Sequence, residues 1–328
     1  MERLPVEPTI TDVMKASKFL RNRVRRTPAE YSFALSEIAG APVVLKLDNQ
    51  QVCGSFKVRG AFYKMFSLPR EELARGVVTC SSGNHAQGVA KAAAELRSKA
   101  WIFVPDVCPE TKKRAIRNYG GEWVELVVAE GDYDFAEGEA RAFAAERGMT
   151  FISPFEDSDV IAGQGTAGIE LLADEPDIEL LLVPAGGGAL LNGTAIAASA
   201  LAPKAEVWGV QSEASNPWVV SWQSGVVQDE FTLAPTIADG LSGAIQQSML
   251  SLAKQRVAGI IQVTEREIAE AIAFMHREHH QQVEGAGVVG VAALLAGKAP
   301  VNGRRTGIII SGGNIDEERL LSILKEYD

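Results

Sequence analysis

The chain has 328 residues, of which 46% are hydrophobic and 23% are charged, and its formal net charge is −10. This length suits two domains better than one, and this composition is ordinary for a globular protein. Because the charge is acidic and no long basic run occurs, we expect neither nucleic acid nor an anionic membrane surface as a partner.

The three cysteines, Cys53, Cys80 and Cys108, are widely spaced and odd in number. This pattern fits a reducing compartment, which predicts a cytoplasmic location, and argues against a disulfide framework or a structural zinc site. The charged, proline-containing segment 1–9 gives no sign of a signal peptide. Residues 180–203 carry no charge, but their glycines and prolines favour a strand, a turn and a small-residue helix over a membrane span.

Short apolar, β-branched runs alternate with alanine-rich amphipathic stretches along the chain. Such alternation predicts parallel sheets with helices on both faces, which is an α/β fold. The predicted strands are 42–47, 76–80, 100–105, 122–128, 150–155, 180–184, 206–211 and 306–311, and the predicted helices are 84–97, 135–148, 193–203 and 265–279.

Four predicted strands cluster between residues 76 and 155, close enough in sequence to form a small sheet of their own. We therefore predict a small α/β domain at residues 76–151, inserted within a larger domain. The large domain then comprises residues 1–75 and 152–328. No linker or repeat marks these boundaries, so they depend on the grouping of strands alone.

Three glycine-rich turns follow apolar strands, namely "SSGNHAQG" (81–88), "PAGGGALLNG" (184–193) and "SGGN" (311–314). Backbone N–H groups at a strand–helix turn are free to bind an anion, and glycine lets the backbone approach it closely. In open α/β sheets, ligands bind at the carboxyl ends of strands, where all three turns are expected. Any one of these turns alone is as well explained by a plain strand–helix connection.

A single lysine, Lys57, stands in the unusual setting "CGSFKVRG" (53–60). Lysine forms Schiff bases with carbonyl compounds because burial readily lowers its pKa. A phosphate-binding turn combined with such a lysine points to pyridoxal 5′-phosphate (PLP), which carries both an aldehyde and a phosphate.

These motifs together resemble those of fold-type II PLP enzymes, in particular the threonine/serine dehydratase and serine racemase family. The resemblance runs in order from about Thr11 to the C-terminus and includes "VIAGQGTAGIE" (160–170) and "VEGAG" (283–287). It implies two open twisted-sheet domains like those of the tryptophan synthase β-subunit, with the small domain inserted in the large one. It also implies a homodimer or homotetramer.

The resemblance implies a role for each matching residue. Lys57 would hold PLP as a Schiff base and then act as general base on the substrate's α-proton. The other implied cofactor contacts are Phe56 near the ring, Asn84 on its phenolic oxygen, Ser311 at its pyridine nitrogen, and the N–H groups of Gly186, Gly187, Gly188 and Ala189 on its phosphate. The substrate carboxylate would be held by Ser81, Asn84 and His85.

The implied reaction is β-elimination from a β-hydroxy-α-amino acid, giving a 2-oxo acid and ammonia. A neutral serine at the pyridine nitrogen makes the ring a weak electron sink, which favours prompt loss of the leaving group. Threonine and serine are the expected substrates. A bulkier one such as phenylserine stays open, because segment 130–140 lacks the arginine of relatives that bind a second carboxylate. Tyr133 and Phe135 in that segment could favour an apolar or aromatic β-substituent. The chain ends 14 residues after Asn314, so feedback inhibition through a C-terminal regulatory domain is not expected.

Ser82 keeps two alternatives open, since serine racemases and 3-hydroxyaspartate dehydratases also carry Ser-Ser-Gly-Asn-His. A hydroxyl opposite Lys57 could reprotonate the α-carbon, although it could equally be a loop hydroxyl bonded to backbone. Against both alternatives, the family's divalent-metal site retains only Glu213, because Val219 replaces an aspartate. A non-catalytic protein that binds the cofactor or an amino acid is a third possibility.

Two further patterns are weak. The sequence GxGxxG occurs at 163–168 and 285–290, but neither copy has the preceding strand and following ribose-binding acid of a dinucleotide site. His276, His279 and His280 could share a helix face and bind a metal, but a solvated helix end explains them better.

Overall fold

The computed structural model describes residues 7–327, so the segment assessed for a signal peptide and the two ends of the predicted large domain lie partly outside it. Within the described residues ten strands form two sheets. The strands are β1 (Ala29–Tyr31), β2 (Val43–Leu47), β3 (Val77–Cys80), β4 (Ala100–Pro105), β5 (Val124–Ala129), β6 (Thr150–Phe151), β7 (Leu180–Pro184), β8 (Glu206–Ser212), β9 (Gly259–Val263) and β10 (Thr306–Ile310).

Fourteen α-helices surround the sheets within residues 7–327. They are α1 (Ile10–Leu20), α2 (Phe33–Ala39), α3 (Lys57–Ser67), α4 (Arg70–Arg75), α5 (Asn84–Leu96), α6 (Glu110–Gly120), α7 (Tyr133–Glu146), α8 (Ser158–Asp174), α9 (Ala189–Leu201), α10 (Pro217–Trp222), α11 (Gln247–Ala253), α12 (Glu265–His279), α13 (Gly285–Leu295) and α14 (Glu317–Glu326).

The larger sheet has six strands in the order β1-β2-β10-β7-β8-β9. Only β1 runs antiparallel to its neighbour, and the other pairs are parallel. Every residue of β2, β7 and β10 is buried, as expected for parallel strands covered on both faces. The carboxyl ends of these central strands therefore open on one edge of the sheet.

Helices cover both faces of this sheet with separate hydrophobic cores. One core takes its side chains largely from α12 and α13, and the other from α8, α9 and α11. A Cβ on Gly165 of α8 would lie 2.7 Å from the carbonyl oxygen of Gly193 in α9, so these helices cross with their backbones in contact. The glycine pattern at 163–168 thus lies inside a helix and packs against its neighbours, rather than forming a turn for a dinucleotide.

The smaller sheet has four parallel strands in the order β5-β4-β3-β6. Helix α7 packs on one face through Ala136, Ala140 and Ala144. On the other face, α5 and α6 share a core that extends to Phe62 and Met65 of α3. This second sheet agrees with the predicted two-sheet architecture, whereas the boundaries at 76 and 151 stay a prediction.

Several predicted elements differ from the observed ones. The predicted strand 150–155 ends at Phe151. The Ile152 N–H still donates to the Val78 carbonyl of β3 at 2.7 Å, but the Ile152 carbonyl accepts from the Thr79 hydroxyl, which ends the backbone ladder. The helix predicted at 193–203 begins four residues earlier, at Ala189. Residues 180–203 form β7, a glycine turn and α9, and within residues 7–327 no helix combines the length and apolarity that a bilayer crossing needs.

Candidate active site

The segment "CGSFK" lies directly against the end of β10. The Phe56 N–H donates to the Ser311 carbonyl at 3.0 Å, and the Gly313 N–H donates to the Gly54 carbonyl at 2.9 Å. Two motifs that are far apart in sequence are thereby joined at the carboxyl edge of the large sheet. Lys57, the first residue of α3, lies at this junction.

Residues 152–155 connect Lys57 to the start of α5. The Lys57 Nζ donates to the Pro154 carbonyl at 3.0 Å, and the His85 Nε2 lies 3.2 Å from the Ile152 carbonyl. Close helix packing brings the same elements together, since a Cβ on Gly88 of α5 would lie 3.2 Å from the Cα of Val58. The shortened β6 thus leaves backbone carbonyls free to organise the site.

The half-buried Lys57 amine is electrostatically unlike a surface lysine. Burial lowers the pKa of Lys57 to about 8, and the charge of Glu284 opposes part of that shift. The Nζ also lies 5.3 Å from the centre of the Phe56 ring. A lysine with this pKa has a substantial neutral fraction near pH 7–8, and the neutral amine is the form that attacks a carbonyl or accepts a proton.

The glycine turn 186–188 connects β7 to the amino end of α9. Gly188 has a φ of 94°, which favours glycine, and a Cβ on Gly187 would lie 2.3 Å from the Phe155 ring. Within the described residues no side chain caps α9, so its first N–H groups are free at the positive end of a helix dipole. A turn this narrow, with free donors, fits a phosphate group.

A second set of free N–H groups lies at the amino end of α5. Gly83 is its N-cap, with no capping side chain among residues 7–327, while the Ser81 Oγ accepts the Gly83 N–H at 3.2 Å. Such an end suits a carboxylate for the same reason that the glycine turn suits a phosphate.

His85 lies in this second anion site but is 2% exposed. Burial, followed by the nearby Lys57 charge, lowers the pKa of His85 to about 3, so the ring is neutral at physiological pH. Because Nε2 donates to the Ile152 carbonyl, Nδ1 is an acceptor, and it has no partner among residues 7–327. The donor that His85 offers to a carboxylate in this arrangement is its backbone N–H.

Glu284, which was not predicted from the sequence, organises the amide groups of the site. The Asn84 Nδ2 donates to the Glu284 Oε1 at 2.7 Å, and the Asn314 Nδ2 donates to the Asn84 Oδ1 at 2.7 Å. These two bonds fix which way the Asn84 amide faces. Burial, and then the charge of Asp239, raise the pKa of Glu284 to about 8. The available signal was one acid in the otherwise uncharged run "QQVEGAGVVG".

The other residues predicted for the site differ in burial and in hydrogen bonding. Ser311 is 2% exposed, at the end of β10. Ser82 is half-buried in the turn between β3 and α5. The Tyr133 hydroxyl donates to the Cys80 carbonyl at 3.2 Å, next to the second anion site, whereas Phe135 is 54% exposed.

The predicted metal position lacks a ligand set in this structure. The Glu213 carboxylate accepts a hydrogen bond from the Glu265 N–H at 3.3 Å, and Val219 lies in α10. In the part of the chain from residue 7 to residue 327, no group of three or more His, Cys, Asp or Glu side chains is placed to hold a metal ion. In the histidine cluster, the His279 Nε2 lies 2.9 Å from the Ser32 Oγ.

An open parallel sheet, a lysine of lowered pKa and two uncapped helix ends define a class of enzyme that holds a phosphate-bearing carbonyl cofactor beside a carboxylate substrate. Comparison with known proteins gives the family: the chain belongs to the pyridoxal-phosphate dependent enzymes, whose family profile matches residues 20–312. This confirms the family resemblance, and PLP is the cofactor.

Individual relatives cover nearly the whole chain. The L-threonine ammonia-lyase of Thermotoga maritima is 41% identical over 320 residues, covering 97% of this chain and 78% of that protein. The L-threo-3-hydroxyaspartate ammonia-lyase of Pseudomonas sp. is 39% identical, covering 96% of this chain and 98% of that protein. The crystal structure of serine racemase from Dictyostelium discoideum is 34% identical with a TM-score of 0.87, covering 94% and 99%. The predicted α/β fold is thereby confirmed.

Proposed function

We propose that this protein is a PLP-dependent ammonia-lyase that eliminates the β-hydroxyl of L-threonine or L-serine as water and releases a 2-oxo acid and ammonia. The observation that carries the proposal is the position of Lys57, whose amine has a lowered pKa and lies where the glycine turn, the α5 terminus and the end of β10 meet. The names of the ammonia-lyase relatives support the same reaction class.

Lys57 has two proposed tasks. Its amine would hold the cofactor covalently, and it would accept the α-proton of the substrate as general base. When bound, PLP supplies the electron sink that makes this proton removable. The Pro154 carbonyl, which accepts a hydrogen bond from Nζ at 3.0 Å, holds the amine in a defined position.

The two uncapped helix ends have separate proposed ligands. The N–H groups of Gly186, Gly187, Gly188 and Ala189 bind the cofactor phosphate. The amino end of α5, through Ser81, Asn84 and His85, binds the substrate carboxylate, and it does so with backbone donors and the Asn84 amide rather than the neutral His85 ring. Two fixed anion sites orient the reacting centre between them, which is how positioning lowers a barrier.

The polar groups around the cofactor ring have proposed roles that follow from their bonding. Glu284 fixes the Asn84 amide so that its second N–H stays available to the ring's phenolic oxygen. Ser311 offers a neutral hydroxyl at the pyridine nitrogen, and Phe56 packs beside the ring. A neutral partner there would leave the bound ring a weak electron sink, which would favour loss of the β-substituent.

A panel of 3-hydroxy amino acids tests the proposal, with ammonia and 2-oxo acid release as the readout. Threonine and serine should each release equimolar ammonia and 2-oxo acid. The Lys57→Ala variant should release neither product from either substrate. Phenylserine tests the bulkier β-substituent, and 3-hydroxyaspartate tests a second carboxylate. A purified holoprotein that releases no 2-oxo acid from any member would instead support a non-catalytic binding protein.

Serine racemase is the second candidate, favoured by the structural similarity to a serine racemase and by the hydroxyl of Ser82. If Ser82 reprotonates the α-carbon, D-serine should accumulate during turnover of L-serine, and Ser82→Ala should abolish it while leaving elimination intact. Chiral chromatography of the remaining serine measures this. If the unmodified protein forms no D-serine from L-serine, serine racemase activity is excluded.

The proposal also includes the cellular location and the oligomeric state of the enzyme. All three cysteines are free and buried, which supports a cytoplasmic location. A homodimer or homotetramer is proposed from the family resemblance alone, and light scattering of the purified holoprotein tests it.

A further inference from the structure

Trp218 lies beneath the glycine turn and is completely buried. Its indole Nε1 donates to the Gly186 carbonyl at 2.5 Å. Its ring atom Cζ2 lies 2.7 Å from where a Cβ on Gly188 would be. One aromatic side chain thus contacts the turn at both its first and its last glycine.

The large sheet fixes the backbone at Trp218, from which the indole projects. The backbone N–H of Trp218 donates to the Gln211 Oε1 at 3.0 Å, and Gln211 is a fully buried residue of β8. Trp218 follows Pro217 in the first turn of α10, where proline restricts the backbone. The ring therefore has a rigid support, and the turn packs on it.

Fixing the Gly186 carbonyl also orients the donor that follows it. In a planar trans peptide, the carbonyl of one residue and the N–H of the next point in opposite directions. Because the Gly186 carbonyl points at the indole, the Gly187 N–H points away from it. The ring leaves no room for a Cβ at Gly188, whose left-handed φ of 94° precedes α9.

We propose that Trp218 is a positioning residue for the cofactor phosphate, holding the 186–188 turn in the conformation that presents its N–H groups to that phosphate. This inference rests on the proposed role of the turn. It assigns to Trp218 an effect on PLP affinity that acts through the phosphate and not through the aldehyde or the ring.

The experiment compares two probes on the apoprotein, PLP and pyridoxal, which lacks the phosphate. Trp218→Phe keeps an aromatic ring but removes the N–H donor. We expect it to weaken PLP binding by roughly tenfold, the scale of one lost buried hydrogen bond, and to leave pyridoxal binding unchanged. The ³¹P resonance of bound PLP should also shift toward its position for free cofactor.

The chain offers a matched control, because Trp222 lies on the same helix but contacts Lys254, whose Nζ is 4.3 Å from the ring centre. Trp222→Phe should leave the affinities for both probes unchanged. If Trp218→Phe fails to fold, replacing Trp218 by benzothienylalanine, which has the same shape without the N–H, repeats the test.

The outcomes separate this inference from the proposed role of the turn. If the unmodified protein binds PLP and pyridoxal equally well, the turn does not bind the phosphate, and both ideas fail. If the unmodified protein prefers PLP and the Trp218 variants keep the full preference, only the role of Trp218 is overturned. Equal weakening of both probes would likewise overturn it, because that result marks a purely structural effect.

Discussion

Lys57 should give cofactor uptake a characteristic pH dependence. Its pKa is lowered from 10.5 to about 8 by burial, so the neutral, reactive amine accumulates as pH rises through about 8. We expect the rate of PLP incorporation into the apoprotein to rise across this range and level off above it. Stopped-flow absorbance measures the rate, and N-acetyl-lysine methylamide, whose amine is unperturbed, is the control. A rate without an inflection between pH 7 and 9 would contradict the assigned environment.

Replacing Glu284 should shift the pH dependence of PLP incorporation in a predictable direction. Because the pKa of Glu284 is raised to about 8, its negative charge develops over the same pH range, and that charge raises the pKa of Lys57. Glu284→Gln therefore removes an interaction that favours the protonated amine. The inflection for PLP incorporation should therefore move below that of the unmodified protein. Elimination should also slow by roughly tenfold, because the Asn84 amide loses the Glu284 carboxylate that orients it and one lost buried hydrogen bond is worth about that much.

The matched control for Glu284 is Glu278→Gln, which changes an exposed acid at the end of α12. It should shift neither the inflection nor the rate. An upward shift of the inflection in Glu284→Gln would show that the carboxyl affects Lys57 in some way other than through its charge.

At the scale of elements, α3 is anchored by a buried ion cluster two residues after Lys57. The Arg59 Nε donates to the Asp48 Oδ2 at 2.7 Å and its Nη1 to the Glu170 Oε1 at 2.8 Å, while Lys46 bonds Glu170 at 2.7 Å. The Arg59 and Asp48 side chains are 0% exposed. The cluster ties α3 to β2 and α8 and so sets where the Lys57 end of the helix lies.

Removing Arg59 should be strongly destabilising, because it leaves buried carboxylates without their partner. We expect Arg59→Met to lower the free energy of unfolding by about 3–5 kcal/mol, as measured by urea titration of the apoprotein. Arg266→Met, which breaks an exposed pair with Glu270, is the control and should leave the transition where it is. Equal effects of the two changes would mean that the buried cluster contributes nothing specific.

Close packing between helices explains why several elements were not predicted from the sequence. The glycines of α8 and α13 looked like ligand-binding patterns in the sequence, yet their spacing reflects close packing, with Gly290 for example lying against Ile308. Strand β9 was not predicted, although its burial alternates along its length. Helices α3, α8 and α13 were also not assigned, since a helix buried on most sides lacks the polar face that reveals its period.

At the scale of the whole molecule, the cofactor should stabilise both sheets together. Residues proposed to contact it come from α3, α5, the turn before α9 and the end of β10, and these elements cover or extend both sheets. Binding to the folded state alone shifts the unfolding equilibrium by mass action, by about 2.7 kcal/mol at a ligand concentration 100 times Kd. PLP should therefore raise the melting temperature of the apoprotein in one transition that moves further as its concentration rises.

Pyridoxine 5′-phosphate, which has the phosphate but no aldehyde, isolates the non-covalent part of that effect. Its stabilisation of the unmodified protein should match that of PLP on Lys57→Ala. If PLP stabilised Lys57→Ala as strongly as it stabilises the unmodified protein, covalent attachment at Lys57 would be contradicted.

The local sequence by itself determined the alternation of strands and helices, the three turns at strand ends, and the choice of Lys57 as the proposed reactive amine. These features depend on the backbone preferences of glycine, on β-branched runs and on the chemistry of one side chain, all of which act within a few residues. The family resemblance followed from the same short motifs in their order.

Tertiary structure alone decided how these motifs are held together. Glu284 became a partner of Asn84, Phe155 shaped the space at Gly187, and Trp218 supported the glycine turn, although no local pattern marked any of the three. The physical reason is that burial and the partner of a polar group depend on which segments the fold brings together. The pKa values of Lys57, His85 and Glu284 follow from that burial, so they too could be determined only once the chain was folded.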